Sequence, residues 1–404
     1  MKRTVLILLV VSLAVCVSAQ NATSSPSSRY GYGELNDNLP ASYRAMGGVG
    51  IGMRSGKAIN SAQPASYTAC DSMTFMFDIA GSLLYTNYGD AFGRRNRMNG
   101  NLEYVTLQFP IWKHYIAFSA GMTPYSAVGY DFAISDSLNS DYHYTKSYAG
   151  EGGITQVYGG LSFNICDWVA LGVNAYYMFG SVTQSRTLSF TESSLNTIKQ
   201  SDDLHINSLR LRYGIQLFHT WGDHTIVMGG VFENKQRFSR SEYLQVESTT
   251  SDTVSSVSGA FEMPMMYGAG LSYNYGNRLT VALDYQCHDW SKAQYFNQTS
   301  SLRARQRWSA GVEYRHNPMS RNYAERMYWR AGFNYATSYA VDMTRPDIGV
   351  SVGMGFPLRT VGTVINTTFE YGHRSAGVGL LSENYLRFVV NAAISETWFF
   401  KRKL

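Results

Sequence analysis

From Met73 to the end of the chain, apolar residues recur at every second position in segments of about ten. Val169, Leu171, Val173, Ala175, Tyr177 and Phe179 alternate with Ala170, Gly172, Asn174, Tyr176, Met178 and Gly180. Leu209, Leu211, Tyr213, Ile215 and Leu217 alternate in the same way with Arg210, Arg212, Gly214 and Gln216, and Leu386, Phe388, Val390, Ala392 and Ile394 with Arg387, Val389, Asn391 and Ala393. A period of two is that of a strand with one apolar face. The pattern predicts about fourteen strands, at 73–86, 101–109, 114–123, 154–164, 168–181, 205–219, 224–234, 264–275, 278–287, 303–315, 327–336, 347–356, 363–372 and 384–395.

A soluble sandwich shows the same period, and the connections discriminate better. Short links at 164–168, 221–224, 275–278 and 357–362 alternate with long polar ones at 125–152, 182–203, 235–262 and 288–301. Tight turns on one side and long loops on the other are expected of an outer-membrane barrel. Only closure leaves a sheet without free edges, and hydrocarbon offers no partner for an unpaired N–H or C=O. The Leu, Val, Phe and Ile face would then meet lipid, and the Arg, Asn, Glu, Ser and Gly face would line the lumen. Aromatics cluster near the expected strand ends, at Trp112, Tyr115, Trp168, Trp221, Tyr273, Tyr275 and Trp398 to Phe400, where interfacial girdles belong. The fold class expected is all-β, a transmembrane antiparallel β-barrel.

Composition agrees: 16% of the 404 residues are charged, low for a soluble surface, and no apolar run of ~20 residues follows the N-terminus to make a helical span. The net charge of +5 is spread along the chain without a basic stripe, which argues against a nucleic-acid partner. Lys2 and Arg3 precede an apolar stretch from Val5 to Val17, and Val17-Ser18-Ala19 offers a cleavage site, so residues 1–19 read as a signal peptide and the mature chain as starting at Gln20. A lipoprotein reading of Cys16 is disfavoured by the bulk of Val15, and the remaining Cys70, Cys166 and Cys287 are too few and too far apart for a disulfide framework.

Residues 20–72 are of another kind. A Ser- and Thr-rich leader is followed by Gly47, Gly48, Gly50 and Gly52, then by Asn60 through Tyr67 with Pro64 and Ala65. No Lys-Ser/Thr and no βαβ frame accompanies the glycines, so they do not read as a phosphate loop. This stretch, with Pro124-Tyr125-Ser126, Trp290-Ser291 and Gly353 to Pro357, resembles the FadL/TodX family of outer-membrane transporters for long-chain fatty acids and aromatic hydrocarbons. Ser61 stands where that family often has a proline. The resemblance implies a fourteen-stranded barrel, residues 73–404, whose N-terminal segment folds inward as a plug, or hatch, with Gly47, Gly48, Gly50, Asn60, Pro64 and Ala65 in it. It also implies a hydrophobic small-molecule ligand, a Gram-negative outer-membrane location among lipid, and no cofactor; the barrel assembly machinery would handle the chain during biogenesis, and a monomer is expected.

Candidate chemistry sits on the lumenal face. Arg303, Arg305 and Arg307 share one face of a strand, Arg210 and Arg212 one face of another, and Glu103, Glu233, Glu313 and Glu370 project inward. These charges either brace barrel and plug by pairing, or an arginine fork receives the carboxylate of an amphipathic ligand. An enzyme is the alternative from another class, with Asp284 and His288 on one face, but four residues along a strand is too far for a tight dyad. The histidines and cysteines show no metal spacing. A structural or secretion-accessory barrel is the third reading. If the aromatic end assists membrane insertion, deleting Trp398 to Leu404 abolishes the heat-modifiable band of the folded barrel in whole-cell electrophoresis, and normal levels of folded truncated protein contradict it.

Overall fold

The computed structural model describes residues 23–37, 39–89, 93–139, 142–191, 196–248, 251–256, 261–295, 302–358, 362–375 and 382–398. The expected signal peptide, residues 1–19, and the last aromatics, Phe399 and Phe400, lie outside the described residues. Fourteen antiparallel strands form the wall. They are β1 (Thr74–Gly89), β2 (Arg94–Trp112), β3 (Ile116–Asn139), β4 (Tyr142–Cys166), β5 (Val169–Phe190), β6 (Ile198–Trp221), β7 (His224–Glu233), β8 (Met266–Tyr275), β9 (Leu279–His288), β10 (Arg305–Tyr314), β11 (Tyr328–Ala336), β12 (Asp347–Pro357), β13 (Val364–Ser375) and β14 (Ser382–Thr397). Each pairs with its neighbours, and β14 returns to β1 in a ladder from Ser382↔Gly89 to Thr397↔Thr74, which closes the sheet.

The face expected to meet lipid does point outward. Leu171, Leu209, Leu283, Phe333, Val352, Phe369 and Leu386 are exposed, as bilayer contact requires, whereas Asn174, Gln216, Thr368 and Asn391 are buried inside. Trp112, Tyr115, Trp168, Trp221, Tyr275, Tyr314, Trp329 and Trp398 form an exposed girdle at the rim that carries the short turns. Trp398 closes this girdle against the first strand: its ring stacks on Phe75 at 4.2 Å and its backbone N–H donates to the Met73 carbonyl at 2.8 Å.

The wall is uneven. Strand β4 has 25 residues, about 80 Å of extended chain, against 10 in β7 to β10, so β3 to β6 rise far beyond the span a bilayer needs. The stretches 125–152 and 182–203, expected as loops, are therefore mostly strand. Their sequence is rich in Thr, Ser and Tyr on both faces, which suits a pleated sheet in water but hides the apolar alternation that marks a membrane strand. The expected loop 235–262 likewise contains a hairpin, Ser239–Ser248 and Ser251–Ser256, whose first strand pairs with the upper part of β6 where β7 has ended.

The segment from Thr23 to Met73 runs through the lumen. It holds a short helix at Ala41–Arg44 and a six-residue 3-10 turn at Pro64–Ala69 that starts on the proline, with Gln63 accepting the Ala65 N–H. Met46, Val49, Ile51, Ala65 and Tyr67 in it are fully buried. Its backbone rests directly on inward-facing glycines of the wall: a Cβ at Gly311 or Gly332 would overlap Met46, at Gly229 the Ile51 carbonyl, at Gly270 the Gly52 amide and at Gly172 the Pro64-Ala65 peptide, while at Gly214 it would overlap the Gln63 and Pro64 side chains. Glycine is the residue that permits such backbone-to-backbone approach. Deleting residues 23–71 opens the barrel: planar-bilayer recordings are expected to show little conductance for the intact protein and large openings for the deletion, and equal conductance in both refutes a lumenal plug.

Candidate functional site

The sequence-predicted plug residues come together. Gly50, Ile51 and Gly52 direct their N–H groups onto the Asp284 carboxylate of β9 at 2.5, 2.6 and 3.2 Å. Asn60 donates to the Gly50 carbonyl at 2.7 Å and so shapes this loop from behind. Gln63 reaches the carbonyls of Ile51, Ile215 and Gly230, each at 3.2 Å, tying plug to wall. Gly47, at φ +73, donates to Ser351 at 2.9 Å and accepts from Arg307 at 3.3 Å, while Gly48 lies against Arg307 and Leu39. Pro64 and Ala65 begin the 3-10 turn. Asp284 is thus engaged by plug backbone rather than by His288.

The five candidate arginines divide. Arg210 and Arg212 both meet Glu233, the former at 2.8 Å, in a buried trio on β6 and β7. Arg305 and Arg307 meet Asp37 of the plug at 3.2 and 2.7 Å. Arg303 precedes β10 and donates to the Ser338 and Met343 carbonyls instead, so the expected row of three is a pair plus a loop cap. The inward glutamates are where the alternation puts them. Glu103 and Glu370 both hold Arg44 of the plug, at 3.1 and 3.5 Å, and Glu313 holds Arg330 at 2.6 Å.

Several residues that join plug and wall are not marked by the sequence pattern. Glu34 of the plug is clasped by Arg374 at 2.7 Å and by Arg387 at 3.6 Å. Burial alone would raise the Glu34 pKa, but the two arginines outweigh it and hold the group at about 2; Arg307, Arg305 and Arg44 overcome burial in the same way and lower Asp37. Arg54, stacked on Phe218 at 4.0 Å, donates to Ala65, Gln216, Thr68 and Asn164, and burial lowers it to about 10, still charged at neutral pH. Only spatial neighbours reveal these roles, since Glu34 and Arg374 are 340 positions apart. Toward the long-loop rim, Tyr32 fills an aromatic box, with ring centroids 5.6, 5.3 and 5.1 Å from Phe238, Trp290 and Tyr295.

One place in the wall is not closed by strand pairing. The β2–β3 ladder runs from Trp112↔Ile116 to Val105↔Met122 and stops, although β2 continues to Arg94 along β1 and β3 to Asn139 along β4. A register shift at Pro124, which has no N–H to give, turns β3 away. The plug enters the wedge: Glu34 and Leu35 pair antiparallel with Ala127 and Ser126, and the Asn36 N–H donates to the Tyr125 carbonyl at 2.9 Å. Beside this added strand lies a cavity of about 180 Å³ bounded by Leu35, Leu84, Leu102, Pro124 and Ala127 on its apolar side and by Glu103 and Arg387 on its polar side. Two further lumenal cavities hold about 90 and 30 Å³.

These features define a class: a plugged fourteen-stranded β-barrel of the FadL/TodX type. Its fold is that of the Ralstonia pickettii toluene transporter TbuX (TM-score 0.61, 14% identity, 89% of this chain and 98% of that one) and of a Pseudomonas aeruginosa FadL homologue (0.61, 11%, 89% and 98%). The CymD monoaromatic hydrocarbon channel is similar as well (0.60, 14%, 90% and 98%). No curated protein matches the sequence. The family model described as BamG matches residues 1–404, and the chain belongs to the BamG family.

The charges generate two predictions. Glu233→Gln leaves Arg210 and Arg212 buried without their counter-charge, at a cost of about 3–5 kcal/mol, and lowers the temperature at which the heat-modifiable band is lost; Arg210→Met with Arg212→Met and Glu233→Leu restores most of it. An unchanged unfolding temperature in Glu233→Gln contradicts the trio's role. Glu34 ordinarily titrates at 4.5, so its hold on the seated plug is complete above that pH and is lost as pH falls toward 2. Conductance is therefore expected to stay low at pH 5 and to rise below about pH 3, and a rise already complete at pH 5 contradicts the pairing.

Proposed function

We propose that this protein is a sealed outer-membrane barrel that serves as an accessory subunit of the β-barrel assembly machinery, contributing a rigid wall and its exposed rims rather than a solute path. Membership of the BamG family supports the partner, since that name belongs with the Bam designation of the assembly machinery. The observation that carries the reading is the seating of the plug. Five wall glycines admit its backbone, and Asp37, Arg44 and Glu34 are each paired with wall charges. A passage for solute would require these bonds to break together, including several desolvated ion pairs.

A second reading, uptake of a hydrophobic small molecule, is favoured by the wedge between β2 and β3. Its cavity of about 180 Å³ is of the order that holds one aromatic ring and falls short of the ~300–1,000 Å³ usual for larger ligands. Exit through the wall would be sideways, into lipid. The experiment is depletion followed by two measurements in the same cells: the abundance of other outer-membrane barrels, and the uptake of toluene and oleate. The assembly reading predicts a broad fall in barrel abundance, together with stoichiometric copurification of the tagged protein with the machinery's central barrel. Selective loss of uptake with normal barrel abundance overturns it in favour of transport.

A further inference from the structure

Charge is distributed unequally along the lumen. Most lumenal arginines meet carboxylates, but at the short-turn mouth three cations gather beside Tyr328 without one. Lys57, on the plug, and Arg315, just past β10, both donate to the Tyr328 hydroxyl oxygen at 3.0 Å. Arg315 also donates to the Arg326 carbonyl, and its guanidinium lies 4.6 Å from the centre of the Tyr328 ring. Arg326 sits over Tyr323, and its Nε is buried with no hydrogen-bond partner. None of these three forms an ion pair among the described residues, whereas the neighbouring Arg330 takes Glu313.

A phenol oxygen accepting from two cations leaves their charge uncompensated, whereas a carboxylate would accept from both and neutralise one of them. Arg315 and Tyr328 are nearly buried, but Lys57 is exposed and marks the entrance. Strand alternation fixes which side the site faces. Tyr328 and Arg330 point inward, and Trp329 between them is exposed to the outside.

We propose that this mouth is an anion site that receives an acidic peptide segment of a partner protein, its carboxylates replacing the Tyr328 oxygen as acceptors for Lys57 and Arg315. A lipid headgroup would have to leave the leaflet and turn around the rim to reach it, whereas a peptide can enter the lumen end-on. The inference rests on the assembly reading only for the bearer of the acidic segment, which would be a periplasmic component.

The test uses the full-length protein in nanodiscs and a fluorescein-labelled hexaglutamate peptide. Saturable binding is expected, weakening with salt and by roughly tenfold or more in Lys57→Glu and in Arg315→Gln, while Lys146→Glu, on the tall side of the barrel, leaves it unchanged. Heat-modifiable migration verifies that each variant is folded, and Lys57→Glu, at an exposed position, keeps the test alive if Arg315→Gln does not fold. Absence of binding overturns the proposal, as does binding indifferent to both substitutions. Displacement of the peptide by inorganic phosphate but not by chloride at equal ionic strength assigns the site to a phosphate group and overturns the peptide. Failure here would leave copurification with the assembly machinery untouched, so the two readings are separable.

Discussion

The ladder between β14 and β1 is what the rest of the molecule depends on. It gives the first and last strands partners along their whole length, from Gly89↔Ser382 to Thr74↔Thr397, and so removes the free edges that hydrocarbon cannot tolerate. Closure also creates an interior with little water, in which each ionised group needs a partner. The plug answers that need. Its own Glu34, Asp37 and Arg44 complete charge sets that the wall would otherwise leave open, so barrel and plug are one electrostatic unit.

The uneven wall and the wedge between β2 and β3 belong together. Where β3 turns away at Pro124, the upper edge of β2 loses its partner, and Glu34-Leu35 is laid on the opposing edge of β3 as a borrowed strand. The same segment that neutralises Arg374 and Arg387 therefore also occupies this interruption in the pairing of the wall. Moving it would break a ladder and an ion cluster at once.

Much of the architecture was legible in the sequence. Fourteen period-two segments, the outward apolar face and the inward Arg and Glu residues follow from alternation alone, and Gly47 to Gly52 announced a segment unlike the strands. The tall sheet was not legible, because in water neither face of residues 125–152 needs to be apolar. The glycine seats were hidden too: Gly172 and Gly214 read as small residues on a polar face, and only the plug's path gives each a reason. Arg303 was misplaced with Arg305 and Arg307 since parity continues past a strand's end whereas the strand itself does not. Asp284, weighed as half of a catalytic dyad, is instead the acceptor for three plug amides, a role that depends on a loop more than 230 positions away.

The central claim is that the plug stays seated while the protein works. Leu35 and Ser126 face each other as a non-hydrogen-bonded pair, given that Asn36 donates to Tyr125 next to them, and such pairs bring side chains close enough for a disulfide. Leu35→Cys with Ser126→Cys would fasten the borrowed strand across the wedge, with non-reducing electrophoresis after proteolysis verifying the bond. In cells depleted of the native protein, the fastened variant is expected to restore outer-membrane barrel abundance fully, with or without reductant. Failure to restore it when oxidised, with recovery on reduction, would show that the plug must move and would contradict the account.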